Sequence, residues 1–94
     1  MPDTSAVSHD PRSGRFEIQT EDGTALLTYL RHGDVIEMVH TEVPESLEGH
    51  GYGAALAEAA LGYVRQEGKK VRPSCPFVAA YIDKHPAYAD LVAD

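Results

Sequence analysis

The stretch Glu42-VPESLEGHGYGAA-Leu56 is where the periodicity of this chain changes. Before it, apolar residues alternate as in strands; after it, they recur at helical spacing. Pro44 lacks a backbone donor and ends the segment that precedes it. Gly49, Gly51 and Gly53 then alternate through residues 48–54. Glycine lets a backbone turn tightly and approach a ligand closely. The first N–H groups of a helix have no intrahelical partner and lie at the positive end of its dipole. Such a loop suits a phosphate or pyrophosphate without any basic side chain; the alternative is that it only turns the chain. It is not a Walker loop, because no Gly-Lys-Ser/Thr follows. Nor does it fit a dinucleotide fingerprint, since an antiparallel meander precedes it and no second βαβ unit follows.

Upstream, residues 15–20 (RFEIQT) alternate, with Phe16 and Ile18 on one face and Glu17 and Gln19 on the other. Glu21, Asp22 and Gly23 supply a hairpin turn. Residues 24–31 (TALLTYLR) carry apolar groups on both faces, which suits a central strand. A turn at residues 32–34 leads into a third strand over residues 35–44, with Ile36, Met38 and His40 expected on one face and Val35, Val39 and Val43 on the other. Downstream, residues 52–67 are good helix formers with Leu56, Ala60, Tyr63 and Val64 at helical spacing, and Gly68 suits the left-handed position past the helix end. Residues 69–75 make a fourth strand, and residues 76–85 a shorter helix that Pro86 stops; residues 87–92 allow one last turn. The order is β-β-β-α-β-α, an α+β domain with an α/β-type mixed sheet: an antiparallel meander, then one right-handed βαβ crossover with its two strands parallel. Residues 1–14, rich in Pro, Ser and Asp, are expected as a flexible N-terminal arm, and residues 15–94 as a single domain.

The chain has 94 residues, 43% of them hydrophobic and 24% charged, with one cysteine and a formal net charge of −7. This length supports one modest core. No apolar run reaches the ~20 residues of a membrane span, and the N-terminus has no signal-peptide pattern, so a cytoplasmic location without membrane contact is expected. One cysteine excludes an internal disulfide and a cysteine-based zinc site, and no metal site is expected. The acidic balance argues against nucleic acid and favours cationic partners, such as amines or basic proteins.

Three motifs narrow the reading: His40 to Pro44 (HTEVP) before the loop, Cys75 to Val78 (CPFV) after the fourth strand, and His85-Pro-Ala-Tyr88 near the end. With the Gly51-Tyr52-Gly53 loop, they resemble the GCN5-related N-acetyltransferases, and in particular a small single-domain branch; the likeness covers residues 15–93. Glu48 stands where that superfamily carries Gln or Arg. The resemblance implies a minimal acyl-CoA N-acyltransferase fold with acetyl-CoA as co-substrate and no metal. It implies that acetyl-CoA lies where the third and fourth strands splay apart. The pantetheine would pair with backbone at Thr41, Glu42 and Val43, and the pyrophosphate would rest on Gly49, His50, Gly51, Tyr52, Gly53 and Ala54. The nucleotide would point toward the second helix, where Lys84 could meet a phosphate. The acceptor would be a primary amine on a protein lysine, a polyamine or a small molecule. Rival readings are a non-catalytic CoA- or acyl-CoA-binding module and a protein-interaction domain.

Three side chains are candidates for chemistry. Pro76 keeps Cys75 extended and is itself favoured at a first helical position, so Cys75 is expected at the mouth of the second helix. A thiol there feels the positive dipole end and suits a nucleophile that accepts acetyl from the thioester; equally, free cysteine packs as a small hydrophobe. His40, expected on the Met38 face, suits a base for the amine or a partner of Cys75, or else a core histidine. Glu42, on the same face as His40, suits proton removal through water. The superfamily's tyrosine acid aligns with Ile82, so the neighbouring Tyr81 is expected to pack. His50 is expected at the phosphates or in solvent, His85 to fix the last turn, and His9 and His32 in solvent.

Overall fold

The computed structural model describes residues 6–93. In them, strands β1 (Ser8–Asp10), β2 (Arg15–Thr20), β3 (Gly23–His32), β4 (Val35–Glu42) and β5 (Lys70–Pro73) lie side by side in that order. The first three contacts are antiparallel and β4–β5 is parallel. Helix α1 (Tyr52–Gln66) makes the crossover between β4 and β5, and α2 (Pro76–Lys84) follows β5. Short 3-10 turns occupy Glu45–Leu47 and Pro86–Leu91. This is the mixed sheet that the sequence predicts, with one strand more than expected.

Period-two alternation places one apolar row on one face of the sheet. Phe16, Ile18, Ala25, Leu27, Tyr29, Ile36, Met38 and Val71 are all buried. They form one cluster with Leu56, Ala60, Leu61 and Val64 of α1 and with Val78 and Ile82 of α2. Each fully buried Leu or Ile contributes about 2 kcal/mol of transfer free energy. The opposite face carries partly buried and exposed residues, with Leu30 55% and Val39 41% exposed. The edge of β5 is closed by the C-terminal segment: Val71 bridges Val92, and the Ala93 N–H donates to the Val71 carbonyl at 2.8 Å. Arg65 ties that segment to α1 by donating to both carboxylate oxygens of Asp90, at 3.1 and 3.0 Å.

Two expectations about the N-terminal residues are corrected. Residues 1–5 lie outside the described residues, but Ser8–Asp10, within the segment expected as an arm, pairs with β2. His9, expected in solvent, is half-buried. It lies opposite Phe16 in the register, and its ring stacks on the Phe16 ring at 4.0 Å between centroids. Its Nε2 is 2.6 Å from the Tyr29 hydroxyl, and Tyr63 meets it edge-on at 4.4 Å. A three-residue strand with a single inward side chain has no periodicity to read, so aromatic packing rather than pattern decides it. His32 is exposed, as expected, and its Nε2 lies 2.8 Å from the Glu37 carboxylate.

Burial, reinforced by the Arg31 guanidinium, holds the His9 imidazole below its usual value, with Asp10 and Glu67 opposing. A depressed histidine binds fewer protons folded than unfolded. Its contribution is therefore complete above the ordinary imidazole range and is lost as pH falls. The melting temperature is expected to drop between about pH 7.5 and about pH 5.5, and to drop less in His9→Gln, which cannot charge. Thermal melts of both proteins across that window check this; parallel curves contradict it.

Candidate active site

Pairing between β4 and β5 runs from Val35↔Lys70 to Met38↔Pro73 and stops there. Two local features end it. Pro73 has no N–H to continue a ladder, and the chain then turns: the Ser74 N–H returns to the Arg72 carbonyl at 3.0 Å, and the Cys75 N–H donates to the Met38 carbonyl at 2.9 Å. Pro76, at the first helical position, starts α2 with Cys75 as the N-cap residue in extended conformation. Residues 39–42 of β4 therefore run on beside α2 without a β5 partner.

At the same point β4 carries a bulge. Tyr29 pairs with Met38 but Thr28 pairs with His40, so Val39 is the extra residue. A one-residue insertion reverses the facing of everything beyond it. This corrects the expected placement of His40. It lies opposite Thr28, away from the Met38 side, with an exposed side chain, and its Nε2 is 3.8 Å from a Glu42 carboxylate oxygen. Glu42, opposite Leu26, shares a face with His40 as expected, but that face is the outer one and not the Met38 side. The bulge instead turns Thr41 toward the core side, opposite Leu27. There the Thr41 hydroxyl lies 3.4 Å from the Cys75 thiol, which is 5% exposed. The structure thus pairs Cys75 with Thr41 and not with His40.

The glycine loop borders the same opening. Gly49 and Gly51 have φ of 81° and 83°, the left-handed region open to glycine at little cost. Gly51 is the N-cap of α1, no side chain caps it, and the first turn contains no acidic residue. The earliest intrahelical bond runs from the Ala55 N–H to the Gly51 carbonyl at 3.0 Å. The N–H groups of Tyr52, Gly53 and Ala54 consequently precede the helical ladder and carry the positive end of its dipole. A cavity of about 440 Å³ joins Thr41 and Val43 of the β4 end to Glu48, Gly49 and the start of α1. His50 is exposed and does not line it.

Gly53 has a packing role that the sequence did not suggest. A Cβ there would stand 2.7 Å from Cζ of Phe77, so the Phe77 ring lies directly on the α1 backbone. Phe77 and Ala54 also line a neighbouring cavity of about 480 Å³, with Glu58, Tyr81, Lys84 and His85. The ring, 44% exposed, divides the two spaces. Lys84 stands in the second cavity, apart from the glycine loop. Tyr81 is half-buried, stacked on His85 at 4.0 Å; burial, with Tyr88 and Glu58, pushes its phenol up. His85 Nδ1 lies 2.8 Å from the Tyr81 carbonyl and holds the end of α2. Among the described residues, no group of three His, Cys, Asp or Glu is placed to hold a metal ion, and no helix is long and apolar enough to cross a membrane.

A mixed sheet whose fourth and fifth strands part beside an uncapped, glycine-led helix is the architecture of an acyl-CoA N-acyltransferase domain. The family model described as GCN5-related N-acetyl-transferase matches residues 15–91, and the chain belongs to that family. It is 32% identical over 83 residues to human Protein NATD1, covering 85% of this chain and 74% of that protein. The mouse Protein NATD1 is 31% identical over 83 residues, covering 85% and 76%. The solution structure of a Staphylococcus aureus protein described as GCN5-like superposes with a TM-score of 0.74 at 27% identity, covering 93% of this chain and 86% of that one.

Gly53→Ala tests the seating of Phe77. The new methyl must displace the ring, which is free to swing outward, while alanine favours the helix. Stability by denaturant titration is expected to stay within about 1 kcal/mol of wild type. The crystal structure of the variant should show Phe77 off its seat and the two cavities merged; a ring in place contradicts the assignment.

Proposed function

We propose that this protein is an acetyl-CoA-dependent N-acetyltransferase of the small single-domain branch marked by the Cys75–Val78 motif, acting on a primary amine. The observation that carries the reading is the continuity of one cavity from the unpaired end of β4 to the uncapped N–H groups of α1. Thr41 and Val43 would pair with the pantetheine, and the amides of Gly49 to Ala54 would hold the pyrophosphate. Beyond Phe77, Lys84 would meet a phosphate of the nucleotide. A single free thiol suits a reducing compartment such as the cytoplasm.

The amine would approach from the outer sheet face, where His40 and Glu42 stand. It attacks the thioester carbon, backbone N–H groups of β4 polarise the carbonyl, and His40 or Glu42 takes the proton the ammonium loses. In the covalent variant, Cys75 Sγ bonds to the acetyl carbon as the bond to CoA sulfur breaks. The thiol proton passes to the departing CoA thiolate, and the amine then displaces Cys75. Mass spectrometry after exposure to acetyl-CoA, beside turnover of an amine panel of polyamines and lysine peptides, tests the reading. One acetyl group on wild type, absent in Cys75→Ala together with turnover, is expected for the covalent route. Turnover unchanged in Cys75→Ala selects direct attack. CoA bound with no turnover of any amine identifies a binding module instead.

Glu48 is a departure with a measurable consequence. Glu48 lines the cavity where a diphosphate would sit, and its negative charge would oppose that group. A like charge at about 5 Å in water costs about 1 kcal/mol, so Glu48→Gln should tighten CoA binding about fivefold. Calorimetry at low salt checks this; unchanged or weaker binding places the diphosphate elsewhere.

A further inference from the structure

We infer that Glu37 is a positioning residue whose carboxylate braces the β5–α2 turn where β4 and β5 part, and so fixes the Cys75 thiol and the α2 side of the cavity. The role in turnover rests on the reading proposed above; the brace itself does not.

Glu37 lies one residue before the last paired position of β4, opposite Arg72 of β5. One carboxylate oxygen, Oε2, accepts from the Ser74 hydroxyl at 2.6 Å. The other, Oε1, accepts from His32 Nε2 at 2.8 Å. A single side chain therefore links the end of β3, the interior of β4 and the residue that immediately precedes Cys75. The hydrogen bonds from Ser74 and then His32, with Arg72 facing it, hold the Glu37 carboxyl below its usual range. Charge-assisted bonds of this length are the stronger kind.

The position gives this contact its effect. Once the ladder ends at Pro73, the turn is tied to β4 by the Cys75 N–H bond to Met38, the Cys75 thiol contact with Thr41 and the Ser74 side chain. Cys75 and Phe77 follow within three residues of Ser74. Loss of the hydroxyl contact frees the turn without touching the core, since Ser74 is exposed and Glu37 lies on the outer face. An exposed contact contributes little to global stability, whereas local opening governs access to a buried thiol.

Cys75 is the only cysteine, so alkylation reads one site. Iodoacetamide modification of the native protein is measured by mass spectrometry for wild type, Ser74→Ala, Ser74→Thr, Glu37→Gln and the Glu37→Gln/Ser74→Ala double variant. The expected result is a rise of about fivefold in each of Ser74→Ala and Glu37→Gln, with urea midpoints near wild type. Ser74→Thr, which keeps the hydroxyl, returns to the wild-type rate. The double variant reacts no faster than Ser74→Ala, because both changes act on one contact: Glu37→Gln strips it of its charge and Ser74→Ala removes it. Single-variant rates within about twofold of wild type, or a double-variant rate equal to the product of the two single effects, overturn the proposal. Wild-type protein that fails to bind CoA while these rates hold overturns the functional reading and leaves the brace standing. Unchanged rates in variants that bind CoA do the reverse.

Discussion

The end of hydrogen bonding between β4 and β5 at Met38↔Pro73 is the constraint on which the rest of the site depends. The short strand β5 is paired over its whole length, Lys70–Pro73, and β4 runs on past it to Glu42. Here a proline without an N–H closes the ladder, and the next residues turn into α2. The opening that results is bordered on one side by α2 and on the other by the free end of β4. The loop after β4 then brings the uncapped start of α1 to the same opening. Backbone polarity that a longer β5 would have consumed stays open at this edge, and in the proposed function no basic side chain is needed where helix amides already present a positive end.

The Val39 bulge decides which side chains accompany that backbone. With unbroken alternation His40 would point to the core and Thr41 outward. With one inserted residue, Thr41 meets the buried thiol and His40 joins Glu42 on the open face. The two candidate chemistries are thereby separated across the sheet: a nucleophile on the helix side, proton acceptors on the uncovered side.

Much of the fold was legible because it rests on local rules. The alternation of Phe16 and Ile18, the paired turns, the helical spacing of Leu56, Ala60 and Val64, Pro76 at a helix start and Gly68 in the left-handed position past α1 each act within a few residues. What was not legible depends on distant partners. Ser8–Asp10 becomes a strand because His9 finds Phe16, Tyr29 and Tyr63. The bulge arises from the match between β3 and β4, and neither strand shows it alone. Of the site, the glycine loop and Cys75 could be placed from sequence. The seat of Phe77 on Gly53 could not, because a glycine in a loop motif invites a conformational explanation and its missing side chain is needed here for packing.

Amide-resolved NMR titration of the protein with CoA is the most direct test of the claim that unpaired backbone, exposed where β4 leaves β5 and where α1 begins, is the cofactor site. The account predicts that the largest shifts fall on the amides of Thr41, Val43 and Gly49 to Ala54, with Phe77 following. Shifts concentrated on the outer sheet face or around His9, or no shifts at millimolar CoA, would contradict it.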